Sequence, residues 1–304
     1  MNMKINKTAK AFSLVELSVV ILIIGILIGA IVKGQDLYGN MKLATAKSVT
    51  SSSSVNSIPG VALWLETSIE KSISDKPLIE NGVTAPYGTL TTDADWNDIR
   101  VVPVNEKITL NASSSTLKYI KDGISGLPSI EFDGASEFNS TTSIPLAAGD
   151  DSYSIAVVWQ ANSVIGAGAL FSQGTTLENQ LAEIQLTNTN QVGFDGNAAT
   201  SVVDTAHTTI ARIPYITIMT VDNSAAQNIT FYHNSNTSTT PLALGPEILT
   251  LGAGEVAIGN SVATDNYFTG LVSEVIVFNK ILESNEIIEV NNYLGQKYSI
   301  KIAD

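Results

Sequence analysis

One acidic residue, Glu16, lies inside a long apolar segment near the start of the chain. The segment reads AFSLVELSVV over residues 11–20 and stays almost wholly apolar as far as Val32. A charge in the interior of a bilayer costs at least about 2.5 kcal/mol, and no lysine or arginine lies within residues 11–32. The pattern therefore predicts that Glu16 is neutralised by a cation from outside its own segment.

A suitable cation would arise if the chain were cut between Ala11 and Phe12. The new amino group on Phe12 would lie about one helical turn from Glu16. It would be equally near the Glu16 of a second copy shifted along the helix axis. Such a pair would fix the register between packed helices, as buried polar residues do in coiled coils.

The N-terminal pattern resembles the type IV prepilin N-terminus. Its elements are a leader with three lysines in ten residues, a small residue, the stretch FSLVE and an apolar run. The resemblance implies that a prepilin peptidase cleaves between Ala11 and Phe12 and methylates the new amino group. It also implies that helices assemble into a filament core through Glu16. The chain departs from the family in three ways: alanine replaces the commoner glycine before the cut, the helix contains no proline, and the C-terminal disulfide loop is missing.

The element that positions Glu16 is predicted to be a helix over residues 12–50, with its membrane part at about 12–32. That part approaches the roughly 20 residues that span a bilayer, and the basic leader would stay in the cytoplasm. Gly25 and Gly29 form a GxxxG pattern, which lets helices approach closely. Two alternatives stay open: a signal-anchor helix with an incidental Glu16, and a secretory signal peptide, which Glu16 disfavours.

Composition changes after the predicted helix and suggests four parts. The leader covers residues 1–11, the helix 12–50, a serine-rich linker 51–59 and a head 60–304. Serine is a poor residue for a helix interior, and the Pro-Gly pair at 59–60 indicates a turn.

The head is predicted to be an antiparallel β-sandwich, so the fold class is α+β, mainly β. Short runs rich in β-branched and aromatic residues recur between Gly, Asn, Asp and Ser clusters. The predicted strands are Val61–Leu65, Ser129–Phe132, Ser154–Trp159, Ala182–Leu186, Ile216–Val221, Ile229–His233, Glu255–Ile258 and Leu271–Phe278. One helix is predicted near the C-terminus, over Glu283–Tyr298, with Ser284 as its N-cap.

The order of motifs in the head resembles the LamG-like jelly rolls of the concanavalin A-like lectin and glucanase superfamily. The motifs are IPGVALWLE, SGLPSIEFDGASEF, DSYSIAVVWQ, AIGN and the final stretch from Tyr267 to Ile300. The resemblance implies two stacked antiparallel sheets. We interpret Trp64 and Trp159 as structural residues, because aromatic residues beside aliphatic ones usually pack in a core. Trp96 lies in the polar stretch TTDADWNDIR, and the resemblance implies that it too is structural.

The head shows no arrangement of residues that predicts catalysis. Glycan hydrolysis needs two carboxylates that flank the bond, and neither Glu274 nor Glu183 has a second acid at strand spacing. The two histidines, His207 and His233, are far apart, and the chain has no cysteine. We therefore predict a protein that is not an enzyme and assign no catalytic residue.

No cofactor or metal site is predicted, although calcium stays open because members of the superfamily often bind it. Calcium prefers oxygen ligands, and the candidates are Asp133, the pair Asp222-Asn223 and the pair Asp265-Asn266. The ordinary interpretation of such pairs is a turn.

The function predicted from the sequence is that of a type IV pilin-like structural subunit with a lectin-like head. Expected partners are other copies of the chain, the prepilin peptidase, the inner membrane before assembly and a possible glycan. A net charge of −13 argues against nucleic acid. The expected location is the inner membrane, then a filament on the cell surface. Two other functions stay open: a glycan-binding adhesin mounted on a pilin helix, and a pseudopilin of a type II secretion system.

Overall fold

The computed structural model describes residues 14–69, 71–74, 87–90, 92, 94–114, 116–142, 144–163, 166, 168–197, 201–224, 228–239, 241–243 and 249–303. The chain divides into two compact units, Met1–Lys42 and Leu43–Asp304. Each unit is described by itself below.

The first long element is helix α1, which spans Leu14–Ser51. Leucine, isoleucine, valine and alanine dominate it, and it contains no proline. Serines mark its end: the hydroxyls of Ser51 and Ser52 donate to the carbonyls of Lys47 and Ser48 at 2.9 Å. Such local bonds compete with continued helix. The helix predicted from the sequence is confirmed.

The segment after α1 is ordered against the head. Ser54–Ser57 form a single 3-10 turn, and the Ser53 hydroxyl accepts the backbone N–H of Val55 at 3.1 Å. Val55 and Ile58 are buried in the head unit. Within the predicted linker, these residues therefore pack as part of the head.

Two antiparallel sheets make up the head in the described part of the chain. Sheet A contains nine strands: β1 (Val61–Glu66), β2 (Tyr87–Thr89), β5 (Lys118–Ile120), β6 (Ser129–Asp133), β8 (Tyr153–Ala161), β13 (Tyr215–Asp222), β14 (Asn228–His233), β15 (Leu242–Ala243) and β17 (Thr269–Phe278). Sheet B contains eight: β3 (Asp95–Asn97), β4 (Thr109–Ala112), β7 (Phe138–Ser140), β9 (Gly168–Gly174), β10 (Leu181–Leu186), β11 (Val192–Asp195), β12 (Val202–Val203) and β16 (Glu255–Ile258).

The order of strands is characteristic of a sandwich rather than of a meander. Sheet A runs β15-β14-β13-β8-β17-β6-β5-β2, with β1 also paired to β17. Sheet B runs β12-β11-β10-β9-β16-β7-β4-β3. Chain neighbours such as β8 and β9 lie in different sheets, so connections repeatedly cross between the layers. The predicted antiparallel sandwich is confirmed.

The core between the sheets follows from alternation along each strand. In sheet B a row of directly opposed residues faces inward, and its members are Phe194, Ile184, Phe171, Ile258, Phe138 and Ala112. From sheet A come Leu63, Phe132, Val157, Trp159, Met219 and Val275, among others. Trp64, Trp96 and Trp159 are fully buried, which confirms that they are structural.

Sheet A is covered on its outer face as well. Helix α2 (Ser284–Tyr298) packs Ile287, Val290 and Leu294 there, together with Val55 and Ile58. The sequences of β8 and β17 are nearly continuous apolar runs because both faces of these strands are buried. A strand with one exposed face would instead alternate apolar and polar residues.

The start of α2 differs by one residue from the prediction. Glu283, not Ser284, is the N-cap. Glu286 forms the other half of a capping box, because its side chain accepts the backbone N–H of Glu283 at 2.8 Å. In most capping boxes Ser or Thr is the N-cap residue and Glu is at N3, but here both positions hold glutamate. The prediction of Ser284 as the N-cap followed the usual preference and is therefore wrong by one residue.

Candidate functional site

Glu16 lies in the first turn of α1, on an exposed part of the helix. The other two predicted processing residues, Ala11 and Phe12, lie outside the described residues. The structure thus describes the acidic half of the predicted pair, and the pairing itself stays a prediction.

Helix α1 exposes apolar side chains on every face of its N-terminal half. Consecutive residues such as Ile21, Leu22 and Ile23 are each more than half exposed. Among the described helices it is the one that is long and apolar enough to cross a membrane. A helix that is apolar all round is normally buried, either in a membrane or among other helices.

Gly25 and Gly29 lie four residues apart, so they share one side of α1. A Cβ atom added at either position would meet nothing within 4 Å in the single chain. Neither glycine is thus required by packing within the chain. Close approach of another helix at this side stays a prediction.

In the head unit, the most polar part of the interior is a cluster around Lys297. Its ammonium lies 2.9 Å from Glu66 Oε2 and 2.8 Å from Glu274 Oε2, and all three side chains are fully buried. Pairing of β1 with β17 places Glu66 directly opposite Glu274. The last turn of α2 brings Lys297 between them.

Hydrogen bonds satisfy the oxygens of both carboxylates. Glu274 Oε1 accepts from Trp64 Nε1 at 2.6 Å and from the Tyr293 hydroxyl at 2.7 Å, and Oε2 accepts from the Tyr298 hydroxyl at 2.9 Å. Glu66 accepts from the backbone N–H groups of Ser68 and Ile69. Buried charges persist only when they are paired and bonded in this way.

The pKa values in the cluster follow from this pairing. Burial alone would raise the pKa of Glu66, but the Lys297 charge and several hydrogen bonds outweigh it and hold the pKa below its usual value. Burial alone would lower the pKa of Lys297, but Glu274 and Glu66 outweigh it and raise the pKa. Glu66 and Lys297 are therefore both charged near neutral pH.

The cluster also includes the last turns of α1 that belong to the head unit. The Thr50 hydroxyl lies 3.1 Å from the Tyr293 hydroxyl, and both groups are buried. Ala46 is buried in the same apolar cluster as α2. A chain of hydrogen bonds therefore links Thr50 to Glu274 and Lys297.

Neither Glu274 nor Glu183 has a second acid in its own strand, as expected, but each faces one across a strand pair. Glu66 on β1 lies opposite Glu274, and Asp195 on β11 lies opposite Glu183. Spacing along one strand could not show either pair, because the two members of each pair belong to different strands. The first pair is fully buried and shares Lys297.

The outer face of sheet B carries a polar row across seven strands. Directly opposed residues form it, in the order Asp195, Glu183, Ser172, Ala257, Asn139, Asn111 and Asp95. Burial raises the pKa of Glu183 to about 7, with a further contribution from Asp195. Its Oε2 has no hydrogen-bond partner in the described structure.

A polar cavity of about 310 Å³ opens beside this row. The loop from Asn260 to Tyr267 borders it, together with Glu137 and Glu255. The loop begins at Gly259, whose φ of +87° favours glycine and whose α-carbon faces the ring of Phe132.

Two of the candidate calcium ligands, Asp133 and Asp222, form turns. Asp133 Oδ1 accepts from Ala135 N and from the Ser136 hydroxyl. Asp222 Oδ1 accepts from Ser224 N at 2.9 Å. Asp265 borders the cavity, and Asn266 donates to Gln185 Oε1 at 2.9 Å. Calcium binding is not tested by these contacts.

The two histidines, distant in sequence, come together between β13, β14 and the preceding loop. The ring centroids of His207 and His233 are 5.9 Å apart. His207 Nδ1 lies 2.8 Å from Asp204 Oδ2, and His233 Nδ1 lies 2.9 Å from the Thr217 hydroxyl. Burial and the neighbouring His207 lower the pKa of His233 to about 4, so it is neutral near pH 7.

Residues 6–32 match the family model described as the prokaryotic N-terminal methylation motif. The chain therefore carries a prepilin-type N-terminus of the kind found in type IV pilins and pseudopilins. The match includes Ala11, Phe12, Glu16 and both glycines of the GxxxG pattern. No curated protein matches the chain.

Solved structures similar to the head include domains of an arabinanase and of sialidases. Domain 4 of AbnA, an extracellular arabinanase of Geobacillus stearothermophilus, solved with arabinotriose, is 16% identical, with a TM-score of 0.45 over 58% of this chain and 81% of that chain. The CBM40 domain of the Ruminococcus gnavus IT-sialidase, bound to α2,3 sialyllactose, is 17% identical, with a TM-score of 0.38 over 46% of this chain and 83% of that chain. At these TM-scores the assignment of the fold depends on the strand order described above.

Proposed function

We propose that the chain is a type IV pilin-like structural subunit. The observation that carries the proposal is the methylation motif over residues 6–32, which ends within an exposed apolar helix. A prepilin peptidase would cleave between Ala11 and Phe12 and methylate Phe12. The inner membrane would hold α1 until helices pack in a filament.

In the filament, the amino group of Phe12 would neutralise Glu16 of a neighbouring copy. A cation beside Glu16 would offset the cost of placing a carboxylate in an apolar surrounding, and Gly25 and Gly29 would allow close helix packing. The proposed parts are the leader 1–11, the helix 12–50, the serine-rich segment 51–59 and the head 60–304. The head would decorate the outer surface of the cell.

A second function, glycan-binding adhesin, is supported by the polar row on sheet B and the cavity beside it. Hydroxyl, amide and carboxylate groups, such as those at the partly exposed ends of this row, are the kinds of groups that hold sugar hydroxyls. We propose binding as this second function; the carboxylates Glu66 and Glu274 take no part in it, because they are fully buried and bonded to Lys297.

The first test is intact-mass measurement and N-terminal sequencing of the chain recovered from the membranes and from sheared surface filaments of its own cells. A chain that starts at methylated Phe12 in the filament fraction supports the proposal. A chain that starts near Gly34 would identify a cleaved signal peptide and overturn it. Retention of Met1 would leave a plain membrane anchor and equally overturn it.

The second test is Glu16→Gln, which removes the charge and retains the size of the side chain. We expect normal cleavage and normal amounts in the membrane, but loss of the chain from the filament fraction. Glu106→Gln in the head is the matched control, since Glu106 is exposed on a short turn. Normal filament incorporation of Glu16→Gln would refute the assembly role.

A further inference from the structure

The centre of the polar row on sheet B is covered, although its ends are open. Ser172 and Glu183 are at most 1% exposed. Near one end of the row Asn111 is exposed, and at the other end Asp195 is partly exposed. The element that covers the centre is the loop from Asn260 to Tyr267, which joins β16 to β17.

Three hydrogen bonds attach this loop to sheet B. The Val262 N–H donates to the Ser172 hydroxyl at 3.1 Å, and the Asn266 side chain donates to Gln185 Oε1 at 2.9 Å. The Ala169 N–H donates to the carbonyl of Asn266 at 3.0 Å. The cavity of about 310 Å³ adjoins the loop, so the loop is not packed on all sides. A segment held in this way opens at a lower free energy than the core strands do.

Glu183 lies on the covered part of the row, with Asp195 directly opposite on β11. Its Oε2 is buried and has no hydrogen-bond partner in the described structure. Burial raises the pKa of Glu183 to about 7 and the charge of Asp195 raises it further, while hydrogen bonds from Ser261, Ser172 and Asn266 oppose the rise. An ionised carboxylate in this position lacks water, so ionisation favours a state in which the loop has moved away.

The other titratable groups around Glu183 do not offset its charge. Strand β9 has none, and β11 has Asp195. The titratable residues of the loop and of the cavity that it borders are Asp265, Tyr267, Glu137 and Glu255. Neither the loop nor β9, β10 or β11 contains a lysine, an arginine or a histidine. The covered state therefore offers an ionised Glu183 no cation as a partner.

The sign of the pH dependence follows from the two states of the loop. With the loop closed, the pKa of Glu183 is about 7, and with the loop open, water returns the pKa toward 4.5. The proton therefore stabilises the closed state. The ratio of closed to open loops is highest below pH 4.5, falls as pH rises to 7 by up to about 300-fold, and is constant above that.

We propose that the loop from Asn260 to Tyr267 is a lid over the centre of the polar row, and that it opens as Glu183 loses its proton. Opening uncovers Ser172, Glu183 and Gln185, so the head presents a larger polar face in mildly alkaline than in acidic surroundings. The inference goes beyond the pilin proposal, and it depends neither on filament assembly nor on binding of a glycan.

The experiment is amide hydrogen exchange of the full chain in detergent at pH 5 and pH 8, read by mass spectrometry and corrected for the intrinsic effect of pH on exchange. Peptides that cover residues 259–268 report on the lid, and peptides from β8 report on the core. We expect protection of the lid to fall at least ten-fold from pH 5 to pH 8, and protection of β8 to fall less. Lid protection that is independent of pH, or an equal fall in the lid and in β8, would overturn the proposal.

Glu183→Gln keeps the size of the side chain and removes its proton equilibrium. We expect the lid of this variant to be equally protected at pH 5 and pH 8, whereas Glu178→Gln, on an exposed turn, should behave as the wild type does. Asp195→Asn removes the opposing charge and should shift the opening of the lid to lower pH. A fall in lid protection in Glu183→Gln as large as in the wild type would show that another group controls the loop and would overturn the proposal.

Discussion

Lys297 is the residue on which the buried charges of the head depend. It forms ion pairs with both Glu66 and Glu274 in a site that water does not reach. An ion pair of this kind contributes little net stability compared with apolar residues, but removal of one member leaves an unpaired charge. Substitution of Lys297 alone should therefore strongly destabilise the head.

We predict that Lys297→Met destabilises the head by about 3–5 kcal/mol. Urea unfolding of the full chain in detergent, followed by tryptophan fluorescence, measures it, because all three tryptophans are buried in the head. Lys280→Met is the control. Its ion pair with Glu286 is partly exposed, so we expect a loss of about 1 kcal/mol or less. Equal losses for the two variants would contradict the prediction.

Glu183 and His233 impose opposite dependences of stability on pH. The pKa of Glu183 is raised from 4.5 to about 7 in the fold, so the folded chain binds this proton more tightly and stability falls as pH rises from 4.5 to 7. The pKa of His233 is lowered from 6.5 to about 4, so stability falls as pH drops from 6.5 to 4. In the wild type the two slopes partly cancel.

We predict that Glu183→Gln removes one of these slopes. Relative to the wild type, the variant should gain stability as pH rises from 4.5 to 7, by at most about 3 kcal/mol, and the gain should be constant above pH 7. The measurement is the free energy of unfolding of the variant and of the wild type at several pH values between 4.5 and 8. A difference independent of pH would show that Glu183 titrates normally.

At the scale of elements, packing within the chain does not require the glycines of helix α1, and two of these, Gly25 and Gly29, form the GxxxG pattern. Glycine in a helix interior costs about 1 kcal/mol relative to alanine. An added side chain at Gly25 or Gly29 would meet nothing within 4 Å. If a larger side chain at either position impairs filament assembly, the steric clash must therefore be with another molecule.

We predict that Gly25→Ile leaves the tryptophan-monitored stability of the detergent-solubilised chain unchanged and lowers its amount in filaments several-fold. The larger side chain would hold neighbouring helices apart. Ala30→Ile, which adds bulk on a different side of α1, is the control and should assemble more nearly normally. If both variants assemble like the wild type, the GxxxG pattern has no role in packing.

At the scale of the whole molecule, the described part of the head is built as three layers, with sheet A buried on both faces. The outer layer is α2 together with residues of the segment after α1, and it packs on β8, β13 and β17 through Val55, Ile58 and Ile287. The serine-rich composition of residues 51–59 suggested a linker, but its apolar residues are part of this layer. The segment should therefore tolerate changes in length poorly.

We predict that two glycines inserted after Ser52 destabilise the head by about 1–2 kcal/mol. The insertion disturbs the cap at Ser53 and the burial of Val55, and the added chain costs conformational entropy. The same insertion between Ala147 and Ala148, both exposed, should change stability by less than about 0.5 kcal/mol. An equal effect of the two insertions would indicate a flexible linker after all.

The sequence by itself determined both helices, eight of the seventeen described strands and the N-terminal motif. Helix α1, helix α2 and all eight strands predicted in the head follow from apolar periodicity and turn residues, which depend on near neighbours in the chain. The motif around Glu16 is also local, so the match over residues 6–32 agrees with it.

Only the tertiary structure decided which side chains meet across the sheets. Glu66 and Glu274 are separated by more than two hundred residues, and their contact depends on the pairing of β1 with β17. Lys297 joins them because α2 folds back on sheet A. The same holds for the cavity, since Glu137 and Asn260 come from distant segments. Periodicity along one strand assigns a residue to a face, but the residue opposite is fixed by strand order and register.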